Sequence, residues 1–186
     1  MPLSEAQALK AALTVRDMPR GWDGGTAVDP RPGDSAHAGD YDPPACLATR
    51  HAVADLGKPS TAVRGQFFTD PRGKTLSEDV WSWPKDQLPL VKTVTDALAQ
   101  CDSFKITPKY QTDSASVTAR QLPMPGLADG VAIRFDLTFE NQTLAQYRAY
   151  VVRDGTVLHL DAGGMSDAEF LRFTAKAVAK LDAVVR

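Results

Sequence analysis

From Val131 to Glu140 apolar and polar residues alternate. Val131, Ile133, Phe135, Leu137 and Phe139 interleave with Ala132, Arg134, Asp136, Thr138 and Glu140. Successive side chains of a strand point to opposite faces, so this spacing predicts a half-buried antiparallel strand. Asn141-Gln142 predicts a turn into a second strand from Thr143 to Arg153. Asp154-Gly155 has hairpin-turn chemistry and leads into a third strand, Thr156 to Asp161, closed by Gly163-Gly164. Upstream, Ala62 to Phe68 and Leu76 to Trp83 read as a hairpin around Asp70-Pro71-Arg72-Gly73. Shorter strands are predicted at Ser103 to Thr107 and Ser116 to Gln121, with a turn at Pro123 to Gly126.

Helical spacing governs the rest. Leu90, Val94, Leu98 and Cys101 recur four, four and three residues apart, predicting a helix from Lys85 to Cys101 with the cysteine on its buried stripe. Ser166 and Glu169 form a capping box for a helix from Asp167 to Val185, whose stripe runs Phe170, Phe173 or Thr174, Ala177, Leu181, Val184. Ser4 and Gln7 cap a first helix, Glu5 to Leu13, docked by Leu9 and Leu13. Asp42, the following prolines and Gly57 bound a second helix from Pro43 to Leu56. Residues 16–42 are rich in Gly, Pro and Asp, with almost no apolar residue from Asp29 to Asp40; they predict a long irregular loop or lid, pinned by Trp22. The sum is one α+β domain over residues 1–186, a twisted antiparallel sheet with helices packed mainly on one face.

Composition narrows the function classes. The chain of 186 residues is long enough for one real core, with 43% hydrophobic and 24% charged residues. A formal net charge of -2 excludes the basic footprint of a nucleic-acid binder. No apolar run has the length of a membrane span. Met1-Pro2-Leu3-Ser4 leads straight into a helix pattern with no signal peptide, so either the protein is cytosolic or a removed export segment or anchor precedes Met1.

Candidate chemistry is sparse. The two cysteines, Cys46 and Cys101, are open to two readings. One is a bridge closing a loop of roughly 55 residues; the other is a pair of buried thiols acting as small apolar residues. No CxxC motif and no histidine at ligand spacing accompany them, so no metal site is expected. Gly24-Gly25 and Gly163-Gly164 match no nucleotide fingerprint, and no cofactor is expected. His159 and Asp161 share a strand face. With Arg134, Asp136, Thr138, Glu140, Gln146, Arg148 and Tyr150 they predict one polar surface, either a site for a polar or anionic ligand or a solvated face of paired charges. Trp81 and Trp83 point to one side of their strand, as a cleft wall or as core. His159, Asp161 and Ser166 do not make a triad, because same-face strand neighbours point in parallel and Ser166 is a helix cap. Neither Gly-x-Ser-x-Gly nor His-Glu-x-x-His occurs, so no catalytic residue is assigned.

The phrase Leu13-Thr14-Val15-Arg16 followed by Asp17-Met18-Pro19-Arg20-Gly21-Trp22, a cysteine near a helix start after a long loop, an aromatic hairpin (Phe67, Phe68, Trp81) and Cys101-Asp102-Ser103-Phe104 occur in that order. In these features the chain resembles actinobacterial exported lipoproteins and the PknH-type extracellular sensor domain of a mycobacterial serine/threonine kinase. The resemblance implies a Cys46–Cys101 disulfide and an extracytoplasmic, lipid-anchored domain, with membrane contact only through that anchor. It also implies a cleft for an unknown small molecule or envelope component, and no catalysis. One cysteine pair stands where the kinase sensor has two, which favours the stand-alone lipoprotein branch. Two other readings remain at this point. A cytosolic α+β interaction module predicts free thiols and an exposed apolar patch. A hydrolase requires a nucleophile or metal within about 3 Å of the His159 imidazole.

Overall fold

The structure, a computed structural model, describes residues 1–26, 39–64, 66–84, 88–109, 113–140 and 142–185. In chain order the elements are α1 (Glu5–Ala11), β1 (Asp23–Thr26), β2 (Asp40–Asp42), α2 (Ala48–His51), β3 (Thr61–Arg64), β4 (Gln66–Thr69), β5 (Thr75–Ser82), α3 (Leu90–Leu98), β6 (Ser103–Thr107), β7 (Ala115–Leu122), β8 (Gly130–Phe139), β9 (Gln142–Arg153), β10 (Thr156–Gly163) and α4 (Asp167–Val185). The ten strands make one antiparallel sheet in the order β1-β4-β5-β10-β9-β8-β7-β6-β2, with β3 also on β5. The meander β8–β9–β10, whose strands the sequence predicted, sits at its centre. The start of the third helix at Lys85, the turn residue Asn141 and residues 27–38 of the predicted loop lie outside the described residues.

Local sequence explains the well-placed elements, and tertiary context explains the rest. The capping boxes at Ser4 and Ser166 both form, with Gln7 and Glu169 returning to the cap. The predicted strand from Ala62 to Phe68 divides in two: β3 pairs with the end of β5, Thr61 opposite Ser82, and β4 with its start, Phe68 opposite Leu76. Residues 16–42 are not irregular throughout. Their described parts hold β1, paired to β4, and β2, paired to β6, at opposite ends of the strand order. Asp-Gly-Gly-Thr has little strand propensity, and it is extended because an open sheet edge gives its backbone partners. The predicted second helix is a single α-turn flanked by 3-10 segments, Pro44–Leu47 and Ala52–Leu56, and ends at Gly57 with φ of 75°.

Alternation along the strands feeds two cores. Leu76, Leu158 and Ala149 face α1 and α4, joining Leu13, Phe170 and Leu181. Trp81, Val157, Ile133 and Phe135 face α2 and α3, joining Cys46, Val94 and Cys101. The greater length of helix thus lies on one face, while a thinner helical layer closes the other. Trp22 meets Phe173 edge-on at 5.3 Å and fixes the start of the long segment against α4.

Two devices hold the layers to the sheet. Cys46 and Cys101 are joined as a disulfide, with Cα atoms 5.5 Å apart. It links the entry of α2 to the exit of α3. On the other face α1 is tied to β5 at both ends. The Leu3 N–H donates to Ser82 Oγ (3.0 Å), and the Leu13 N–H donates to the carboxylate of Glu78. Glu78 is fully buried, and its Oε1 has no partner among the described residues. Burial pushes its pKa up to about 8, against the opposing Leu13 N–H, from an ordinary 4.5.

Replacing both cysteines by alanine is expected to lower the unfolding free energy by about 2–4 kcal/mol, read from urea midpoints of oxidised wild type against the variant. Glu78 generates a second expectation. Its raised folded pKa makes its contribution complete below about pH 4.5 and progressively lost as pH rises towards 8. Glu78→Gln keeps an acceptor for Leu13 and should flatten the fall in stability across that window.

Candidate functional site

The face beneath α2 gathers His159, Asp161, Gln146, Arg148 and Tyr150 of the predicted polar residues. Register sets His159 opposite Tyr150 and Asp161 opposite Arg148, with Val157 opposite Trp81. Three strands therefore stack three rings: Trp81 on His159 at 5.2 Å and His159 on Tyr150 at 5.0 Å, interplanar angles 17° and 19°. Beside the stack Arg148 grips Asp161 with both arms of its fork, Nε to Oδ1 at 2.7 Å and Nη2 to Oδ2 at 2.8 Å.

The same guanidinium holds α2 in place. Arg148 Nη1 donates to the carbonyl of Arg50, and the Tyr150 hydroxyl donates to that carbonyl at 2.9 Å. A helix end leaves carbonyls without intrahelical partners and carries partial negative charge, so a cation and a hydroxyl are apt donors there. Burial alone would lower the pKa of Arg148, but Asp161 and Tyr150 raise it well above the ordinary value. Asp161 is held far below the usual carboxylate range: burial opposes this, and Arg148 and His159 outweigh it.

His159 lies between two carboxylates. Its Nδ1 is 3.2 Å from Asp79 Oδ2, and its Nε2 is 3.3 Å from Asp161 Oδ2 without hydrogen-bond geometry. Burial would depress the imidazole, yet Asp161 and Asp79 raise it above the ordinary 6.5. A carboxylate beside each ring nitrogen favours the protonated form, which has no lone pair to offer as a general base. Nearby His51, on α2, is pushed down to about 4 by burial and by Arg148 and Arg50. It stays neutral and meets Tyr41 edge-on at 6.0 Å.

Next to this network a pocket of about 280 Å³ opens, lined by Arg50, Phe67, Ser77, Gln146, Arg148 and Asp161 among others. Arg50 Nη2 donates to Gln146 Oε1 at 2.9 Å, and its guanidinium lies over the Phe135 ring, 5.4 Å from the centroid. Phe67 is 41% exposed at the pocket.

One sequence expectation is corrected here, the open choice for two tryptophans is decided, and the cap at Ser166 forms as expected. Arg134 does not share the site. Register sets it opposite Tyr147, on the α4 face, where it pairs with Asp136 and Asp167 and lies 5.9 Å over the Tyr147 ring. Trp81 and Trp83 are 2% and 3% exposed, so they form core and not a cleft wall. Trp81 contributes to the ring stack, whereas Trp83 is set apart, its Nε1 donating to the carbonyl of Gly57 at 3.1 Å. Ser166 caps α4. Residues the sequence did not single out include Arg50, Ser77 and Asp79. The alternation Ser77, Asp79, Trp81 carried the signal for the latter two. Arg50 sits in a short helix with no apolar stripe and gave none. Among the described residues no group of three His, Cys, Asp or Glu is placed to hold a metal ion.

No protein-family model matches the chain, and no curated protein matches it. The fold is similar to the extracellular domain of PknH from Mycobacterium tuberculosis, at 14% identity and a TM-score of 0.69, over 99% of this chain and 97% of that one. It is also similar to a putative uncharacterized protein from Mycobacterium smegmatis, at 14% identity and a TM-score of 0.53, over 96% of each chain. The resemblance to a PknH-type sensor domain, read from short motifs, thus holds end to end at the level of fold.

Asp161→Asn leaves the Arg148 charge without its partner. The expected loss is about 2 kcal/mol at pH 7, less than for a fully enclosed pair because the Asp161 side chain is 36% exposed. The depressed carboxyl of Asp161 contributes stability above its ordinary pKa of 3.8 that fades as pH falls below it. Urea midpoints across pH 2–7 should therefore show a smaller acid loss in the variant than in wild type.

Proposed function

We propose that this chain is a non-catalytic, extracytoplasmic, sensor-like domain that binds a small molecule or an envelope component. The observation that carries the reading is the Cys46–Cys101 bridge within a fold that matches an extracellular domain over nearly its whole length. Disulfides persist in oxidising compartments and are rare where thiols are kept reduced. The bridge favours this reading over a cytosolic interaction module, which calls for free thiols. Among the described residues no helix is long and apolar enough to cross a membrane, and the lipid anchor in this reading rests on the resemblance to exported lipoproteins. The placement of His159 between Asp79 and Asp161 supports a binding role over hydrolysis. The pocket beside Arg50 and Arg148 is the assigned ligand site.

Trapping the thiols in the native host tests the compartment. Cells are quenched in acid, the protein is denatured and alkylated without reductant, and its intact mass is measured. The expected result is an unalkylated chain two protons lighter than the reduced form. Alkylation at both Cys46 and Cys101 in folded protein would sink the extracytoplasmic reading.

A further inference from the structure

We propose that the pocket at the end of α2 is an oxyanion site, which takes the carboxylate or phosphate head of a small ligand whose apolar body rests on Phe67. This rests on the ligand-binding reading above and names its chemistry.

Charge balance is the first argument. Two guanidiniums, Arg50 and Arg148, line the pocket with one carboxylate, Asp161, and Arg148 already occupies both oxygens of that carboxylate. Asp79 adds no surplus negative charge to the balance, since the His159 ring stands beside it. Arg50 is therefore a cation with no carboxylate partner among the described residues. A charge withdrawn from water is costly unless it is answered by an opposite one, and a bound anion would supply it.

Donor count is the second. Arg50 Nε is buried with no acceptor among the described residues. Gln146 has its Oε1 committed to Arg50, which leaves its amide with only N–H groups to offer. The Ser77 hydroxyl adds a further donor to the lining. A wall rich in donors, whose one carboxylate is already gripped, suits an acceptor-rich head and not a cation. The fork of a guanidinium matches the paired oxygens of carboxylate and phosphate. The volume of about 280 Å³ limits the ligand to a small head and a short body, and the exposed ring of Phe67 supplies the apolar contact. The lowered pKa of His51, caused after burial by Arg148 and Arg50, agrees with a field left positive at this spot.

The test uses oxidised, full-length protein labelled with ¹⁵N, titrated at low salt and pH 7 with inorganic phosphate, benzoate and benzamide. Benzoate or phosphate should shift the Arg50 Nε–H and Gln146 side-chain signals. Benzamide, of the same shape without charge, should bind roughly tenfold more weakly or worse. Arg50→Gln should cost the anions a similar factor. Arg50→Lys keeps the charge and loses the fork, so it should fall between the two, and it serves if the glutamine variant does not fold. Tighter phosphate points to a phosphate ester as the natural head, tighter benzoate to a carboxylic acid, and either result supports the site. Equal binding of benzamide and benzoate, or no shift at Arg50 with either anion at tens of millimolar, overturns it. Neither of those results touches the thiol test, so the oxyanion assignment and the extracytoplasmic reading fail separately.

Discussion

The Arg148 guanidinium lies against the middle of the sheet with its side chain only 11% exposed, and a charge in that position must be answered on every side. Asp161 answers it across the strand pair, and the Arg50 carbonyl answers it from above. Those two contacts define the face. The first locks the register of β9 against β10 at its polar end. The second sets α2 down in one orientation, and α2 in turn carries Cys46 on its approach and Arg50 at its last turn. The stacked rings of Trp81, His159 and Tyr150 extend the same arrangement over three strands.

Alternation makes this possible in a sheet that is covered on both sides. Central strands give every second residue to each core, so the polar cluster of one face stands back to back with apolar packing on the other. Arg148 lies between Tyr147 and Ala149, which both belong to the α4 core. A change of one residue in the register of β9 against its neighbours would turn Arg148 into that core. Buried charge thus works as a register lock, because the wrong pairing would leave it among apolar groups without a partner.

The same parity explains what could and could not be read from the chain. The meander and α4 were legible because their signals are local: strict alternation from Val131 to Phe139, hairpin chemistry at Asp154-Gly155 and a capping box at Ser166. β1 and β2 were not, since Asp23–Thr26 and Asp40–Asp42 are extended by the edges that they join and not by their own residues. Arg134 and Arg148 both lie on polar positions of adjacent strands. Only the register of the hairpin decides that they face opposite ways, and residue types do not fix it. Arg50 was silent because a helix of one turn shows no period. The bridge between Cys46 and Cys101 rested on family resemblance, the residues alone having left it open.

The bridge also changes how the domain would bear force. Its two cysteines are 55 residues apart in sequence, and the ring so closed contains α2, β3, β4, β5 and α3. Tension applied at the two chain ends passes across the sulfur–sulfur bond and bypasses that ring. About 190 Å of extended chain, at roughly 3.5 Å per residue, is thereby withheld from any stretch. The strained path runs on through β6 to β10; the β1–β4 pairing is one seam between slack and loaded chain at the sheet edge, and the central seam is the β5–β10 pairing. The pocket straddles that seam, with Arg50, Phe67 and Ser77 on the slack side and Gln146, Arg148 and Asp161 on the loaded one. A pull on the two chain ends would therefore load one wall of the pocket and leave the other slack.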